Sequence, residues 1–486
     1  MTTMDRKGLL RRGALAGGGL AALGPLSAYY AKAAEGASVP ASFGYGPLVN
    51  KGDLWLPAGF NYQLLSRQGV PMSDGRPTPG IFDGMAAYPG PKGRTILIRN
   101  HENREQAGEI KVVTGPALEY DQTAFGGNTK LEVRRTKAGV DAATGQQLYT
   151  YEVGRDFAIL GGTSTNCAGG LRSPHWWLTC EEVVKRTAGK KHGYIFEIDA
   201  RAEGPVPAIP VPQAGRRAHE AALEHSGIIY MTEDRSKAPD AISGQIGAAL
   251  YRYTPNPRGG AIPLWKTRGP LEALAIKGQP RKDMDLTSAI GVPYPVEWVP
   301  ITEPDHDDDT DNRRDRIPGF TPNRVAAADA GAAIFSRQEG MWAGPGESKI
   351  YFDCTSGGRA GLGQVWEYHP GRETLSLIYE STNPAMLENP DNVVIVPQTG
   401  DILLQEDSGG EQFIRGVTRA GEIYSFAKTH TNETEFCGAC FDPNGQTLYV
   451  NQQGDRGSLP DGPLDGRAVT YAIYGPFEQR AGSNGR

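Results

Sequence analysis

The sequence predicts an all-β fold, a six-bladed β-propeller with loop insertions over one face. Three observations carry this: the abundance of turn-forming residues, a short strand that recurs with a polar ending, and a spacing between copies that suits one blade. Among 486 residues, 64 are Gly and 36 are Pro, both above the averages of about 7% and 5%. Punctuation this dense favours many short strands over long helices. Hydrophobic residues at 38% and charged residues at 22% mark a globular chain rather than a disordered one or a membrane bundle. The net charge of −6 argues against nucleic acid as a partner, because phosphate backbones are bound by basic faces.

The recurring strand occupies residues 95–102, 177–182, 229–234, 350–355, 402–407 and 448–453. Each copy is an apolar run that ends in acidic or polar side chains. Most copies are followed by a second run with aromatic alternation, as in Tyr194-Ile-Phe196 and Tyr251-Arg-Tyr253. The marker residues Leu178, Tyr230, Tyr351, Leu403 and Tyr449 are spaced by 52, 121, 52 and 46 positions. A four-stranded blade takes about 40–50 residues, so the long interval implies an insertion, placed at about 255–345. Because propeller strands converge on a central channel, the acids Glu102, Glu181, Glu182, Glu233, Asp234, Glu406 and Asp407 are expected to crowd at one mouth. Crowded carboxylates raise one another's pKa, and hard cations such as calcium remove that cost. The competing reading has each acidic pair capping a blade corner or meeting an Arg.

Residues 1–34 read as an export signal. Arg6, Lys7, Arg11 and Arg12 precede a mildly apolar stretch over 13–26, and Ala31-Lys32-Ala33 offers a cleavage site. The Arg11-Arg12 pair points to the twin-arginine export machinery, with a general secretory signal as the alternative. Residues 35–486 are then a single propeller domain, periplasmic or extracellular, with no stable membrane anchor because no later run reaches the length of a span. The five cysteines are an odd number for an exported chain. Pairing leaves one over, as an inert buried thiol or a metal ligand. Cys437 and Cys440 have zinc-like spacing but lack a second pair. His219-Glu220 falls short of a zinc-protease motif because Leu223 stands where the second His belongs. With no phosphate loop and no nucleophile elbow, the chemistry rests on carboxylates, Cys and Arg.

Several motifs together resemble the PhoX-type alkaline phosphatase family: Asn100-His101-Glu102-Asn103, Asn166-Cys167-Ala168-Gly169-Gly170, Leu178-Thr179-Cys180-Glu181-Glu182 and His219-Glu220. Further on come Thr232-Glu233-Asp234-Arg235, Arg337-Gln338-Glu339-Gly340, Asn389-Pro390-Asp391-Asn392, Glu406-Asp407 and the segment from Cys437 to Gly445. The resemblance implies a phosphomonoester hydrolase with ferric iron (Fe3+) and calcium (Ca2+) on the propeller axis, where a metal-held oxo or hydroxide attacks phosphorus. It implies Cys167 as an iron ligand, Glu220, Glu339 and Asp391 among the carboxylates holding the ions, and Arg337 as the catalytic grip on the substrate phosphate. Glu102, Glu181, Glu233 and Glu406 are further expected metal ligands. Arg337 and Glu339, two apart on a strand, are expected to face the same way. A monomer is expected. Two alternatives remain: a calcium-dependent propeller hydrolase of lactonase or phosphotriesterase type, and an exported binding protein without activity. Cys167 discriminates, since calcium chemistry needs no thiolate.

Overall fold

The computed structural model describes residues 43–480, apart from 143, 241–243, 288, 311–318, 345, 347 and 455–465. The expected signal over 1–34 lies outside the described residues. Antiparallel strands dominate, and the α-helix among the described residues is the eight-residue Asn323–Ala330. The fold is all-β and propeller-like.

The apolar runs form strands that are buried on both faces. In Thr95–His101, Ile96 and Ile98 enter one core cluster while Leu97 enters the next. In Pro390–Ile395, Val393 and Ile395 face one way and Val394 the other. Side chains alternate along a strand, so a sheet sandwiched between two neighbours is apolar on every residue. Fully burying one such side chain is worth about 1.5–3 kcal/mol, and this stacking supplies most of the core.

The sheets follow one another in chain order. Phe82–Pro89, Thr95–His101, Gly126–Val140 and Gln147–Thr163 form the first, and Asn166–Arg172, Trp176–Glu181 and Ile195–Asp199 the second. His219–His225, Ile228–Glu233, Tyr251–Tyr253 and Leu271–Ile276 come next, followed by Gln338–Trp342, Ile350–Cys354, Gln364–His369 and Thr374–Glu380. Pro293–Ile301 bridges these two into one continuous sheet. Pro390–Ile395, Ile402–Glu406, Phe413–Val417 and Ile423–Thr429 follow, extended by Leu54–Pro57 and Leu48–Asn50. In the last sheet, Phe436–Phe441, Thr447–Gln452 and Val469–Tyr474 are completed by the early strand Asn61–Arg67, which pairs Tyr62 with Ile473.

The strands containing Asp83, Cys167, Glu220, Glu339, Asp391 and Cys437 are innermost. Each packs on the next, and the Cys437 strand returns to the Asp83 strand, closing a ring. The axis is narrow. A Cβ on Gly84 would lie 2.7 Å from the Ala168 backbone, and one on Gly340 would lie 2.8 Å from Asn392 Cα. One on Gly438 would collide with the Asp83 carbonyl. Glycine at these positions lets the six inner strands approach closely enough to close the ring.

Gly340→Ala is therefore expected to destabilise the protein by about 1–3 kcal/mol, the usual cost of overpacking. Gly409→Ala, where a Cβ meets nothing within 4 Å, is expected to stay within about 0.5 kcal/mol. Denaturant midpoints compare the two.

Candidate metal centre

Each inner strand opens on a break in pairing register. The breaks fall between Phe82 and Met85, Asn166 and Gly169, His219 and Ala222, Gln338 and Met341, Pro390 and Asn392, and Cys437 and Cys440. In five of them the displaced residues include Asp83, Cys167, Glu220, Glu339 or Asp391. A bulge of this kind re-aims a side chain out of the sheet.

A second device holds the bulges. Ile81, Thr165, Arg337 and Asn389, each two residues before an axial side chain, have φ of 48°, 52°, 51° and 50°. Left-handed backbone is strained for a β-branched residue and costs on the order of 1–3 kcal/mol. The carbonyl at each position accepts a backbone N–H from the residue just past the neighbouring strand: Glu102 to Ile81 at 2.8 Å, Glu182 to Thr165 at 2.9 Å, Thr355 to Arg337 at 2.8 Å and Asp407 to Asn389 at 2.9 Å. Asp234 to Ala218 at 3.3 Å and Gln453 to Glu435 at 3.1 Å complete the set.

The result is a connected patch of donors. Five trios have atoms within 4.8 Å of one another: Asp83, Glu102 and Cys167; Cys167, Glu182 and Glu220; Glu220, Glu339 and Asp391; Asp391, Asp407 and Glu435; and Glu435, Cys437 and Asp83. Each trio shares a member with the next, so the five form a closed circuit. Asp83, Glu182, Glu220, Asp391, Asp407 and Glu435 carry no ion pair with Lys or Arg among the described residues. Arg104 binds Glu102 through Nη2 at 2.6 Å. Arg337 donates Nε and Nη2 to the two Asp234 oxygens at 2.9 and 3.0 Å, and its Nη2 lies 2.8 Å from Glu339.

Burial and mutual repulsion raise the pKa values here. Glu102 is pushed up to about 8 by burial, against the lowering pull of Arg104. Asp391 is pushed up to about 7 by burial and by Asp407, despite Arg337. The Cys167 thiol is held well above its ordinary value by burial and by Glu102, Glu220 and Asp83. Uncompensated buried carboxylates are expensive. Bound cations reverse the cost by favouring the deprotonated ligands. Glu220 Oε2 is buried without a partner, which fits a position facing a cation. A set of carboxylates with a thiol suits calcium for the oxygens and a transition metal near sulfur.

The family model for the alkaline phosphatase PhoX matches residues 43–455. The chain belongs to that family. Membership makes it a phosphatase, a hydrolase of phosphoric monoesters. In fold it is similar to Pseudomonas fluorescens PhoX in complex with vanadate, a transition state analogue, with a TM-score of 0.62 and 16% identity over 89% of this chain and 98% of that one. TolB from Acinetobacter baumannii (TM-score 0.35, 9% identity, 79% and 67% covered) and the WD40 β-propeller domain of Doa1 (0.33, 9%, 85% and 97%) are more distant. The curated proteins contain no match. Among the described residues, no helix of this PhoX-family chain is long and apolar enough to cross a membrane.

Of the expected site residues, Cys167, Glu220, Glu339, Asp391 and Glu102 come together, with Arg337 beside Glu339. Arg337 precedes the strand rather than lying in it, and its left-handed φ brings the guanidinium back to Glu339. Glu181, Glu233 and Glu406 stand apart from the trios. Glu181 accepts from His192 Nδ1 at 2.6 Å and from the N–H groups of Gly193, Ser164 and Tyr194. Glu233 accepts from the Tyr251 hydroxyl at 3.0 Å, and Glu406 from the Glu388 N–H and Arg415 Nε. Successive residues of a strand point to opposite sides, so in each acidic pair the first member knits the sheet. The second, Glu182, Asp234 or Asp407, turns to the centre.

The recurring strand is thus second from the axis, not innermost. Asp83, Glu435 and Arg104 escaped the sequence reading, and Cys437, weighed there only as half of a zinc-like pair, joins Asp83 and Glu435. Asp83-Gly84 carries the same axial-residue-then-glycine signature as Glu339-Gly340, which could have revealed it. The expectation of disulfides fails: all five cysteines are buried free thiols.

Two measurements follow from these assignments. Glu181→Gln is expected to cost about 1–3 kcal/mol, the usual cost of impairing a buried hydrogen-bond acceptor, while metal content stays unchanged. The cation-free protein is expected to lose stability as pH rises from about 4 to about 8. The raised carboxyls keep protons in the folded state that the unfolded chain has already released. Denaturation in chelator across that range reads the slope, and calcium should restore most stability at its upper end.

Proposed function

We propose that this chain is an exported, metal-dependent alkaline phosphatase that hydrolyses phosphomonoesters and releases inorganic phosphate, using ferric iron and calcium. The observation that carries the reading is the closed circuit of buried donors, with Cys167 in two of its trios. Iron accepts thiolate and carboxylate, so it belongs near Cys167, and calcium belongs among the trios made of oxygen donors alone. When bound, such cations supply charge stabilisation for the phosphoryl oxygens and an activated water-derived nucleophile.

The chain's own residues do the rest. Arg337 already makes two parallel bonds with Asp234, and the same planar fork matches two phosphoryl oxygens. Its side chain is 32% exposed, so substrate can reach it. Asp234 aligns the guanidinium before substrate arrives and yields to it afterwards. Glu102, Glu182, Glu220, Glu339, Asp391 and Asp407 hold the cations in a fixed cradle. The packed glycines beneath exclude water from that side.

We read the six inner strands as six blades. Residues 35–486 are then one domain exported by the twin-arginine route as a monomer. The stretch expected as an insertion at about 255–345 instead supplies sheet strands at Leu271–Ile276 and Gln338–Trp342, with Pro293–Ile301 linking the two sheets, because short apolar runs interrupted by Pro were not legible as strands. The free Cys167 thiol disfavours the calcium-only lactonase or phosphotriesterase alternative, which has no use for it.

Metal analysis and hydrolysis of p-nitrophenyl phosphate test the proposal. Cys167→Ala is expected to lose iron and activity while strand content, read by circular dichroism, stays near normal. Arg337→Ala is expected to lower kcat/KM by about a hundredfold or more, as for loss of one preorganised charged donor. Native protein without iron, or no faster than Arg337→Ala, would sink the reading.

A further inference from the structure

A cavity of about 350 Å³ adjoins Arg337, lined also by Asp234, Ser236, Lys237, Thr310 and Arg324. That volume is at the lower end for small-molecule sites, enough for a compact sugar or polyol. Most charges on its wall are answered. Lys237 pairs with Asp283 at 3.1 Å and Asp285 at 2.6 Å, and Asp234 is taken by Arg337.

Arg324 is different. It sits in the first turn of the helix Asn323–Ala330 and is only 6% exposed. Its Nη2 donates to the Ser236 carbonyl at 3.0 Å, its Nε has no partner, and no carboxylate pairs with it among the described residues. A buried guanidinium without a counter-charge is costly, and its fork geometry suits phosphoryl oxygens above other groups. In a chain of net charge −6, such a cation facing a cavity beside the phosphate-binding Arg marks a place for a second anion.

We infer that this cavity receives the leaving group of the substrate and that Arg324 binds a second phosphoryl group carried on it. The preferred substrates are then bisphosphorylated compounds, with Arg337 on the phosphoryl group transferred and Arg324 on the one retained. The inference rests on the proposed phosphatase reading and adds the substrate class.

The test uses the metal-loaded full chain with a matched pair, fructose 1,6-bisphosphate and fructose 6-phosphate. Calorimetry gives the ratio of the two affinities, and phosphate release gives the ratio of kcat/KM. The native protein is expected to favour the bisphosphate by tenfold or more. Arg324→Met should bring both ratios close to one, and Arg324→Lys should restore part of the preference. Native protein without preference, or an unchanged ratio in Arg324→Met, overturns the inference. If Arg324→Met does not fold, Arg324→Gln makes the comparison under the same criteria. Absence of p-nitrophenyl phosphate hydrolysis strikes the phosphatase reading instead, and the calorimetric ratio still decides the role of Arg324.

Discussion

Asp83, Cys167, Glu220, Asp391 and Glu435 each belong to two neighbouring trios of donor atoms, so none of their charges can be neutralised singly. A lone arginine could quiet one carboxylate, as Arg104 does for Glu102, but not a circuit. The protein therefore carries a buried centre that opposes folding on its own and favours it once cations are shared around the ring. This constraint accounts for the raised carboxyl and thiol pKa values and for the bulge at the head of each inner strand. It also explains why the fold tolerates left-handed Ile81 and Thr165, whose strain is balanced by sheets buried on both faces.

The same architecture divides labour along each acidic pair. Glu181 and Glu406 satisfy backbone N–H groups within or beside their own sheets, which fixes the strand ends from which Glu182 and Asp407 project. The axial residues are thus aimed by a frame of hydrogen bonds that never touches a ligand. Arg337 joins the two roles: its carbonyl is fixed by the Thr355 N–H while its guanidinium faces Asp234 and the cavity.

Much of this was legible in the sequence. The β fold, the repeat, and the meeting of Cys167, Glu220, Glu339, Asp391 and Glu102 all follow from strand patterning and motif resemblance. The layer assignment was not legible, because second strands carry long apolar runs and advertise themselves, whereas inner strands begin with a bulge and small residues that blur the alternation. Parity was lost for the same reason: Glu181 and Glu182 look equivalent until the register break in the partner strand is known. Arg104 and Glu435 lie in irregular segments without a pattern of their own, and Cys437 shares its segment with a second thiol that packs in the core. Disulfides were expected from compartment alone, yet all five thiols are free; Cys167 and Cys437 stand among the donor trios, while Cys180, Cys354 and Cys440 pack in the core.

The strand Asn61–Arg67 completes the final sheet by pairing with Val469–Tyr474, so an early strand and a late one act as a clasp. During synthesis the torus stays open until the last sheet has been made, and long-range pairing of this kind is slow to form. The trio of Asp83, Glu435 and Cys437 straddles that seam, joining the first sheet to the last. Its geometry thus exists only in the finished circle, which makes assembly of the centre a late event and couples it to the pairing of Asn61–Arg67 with Val469–Tyr474.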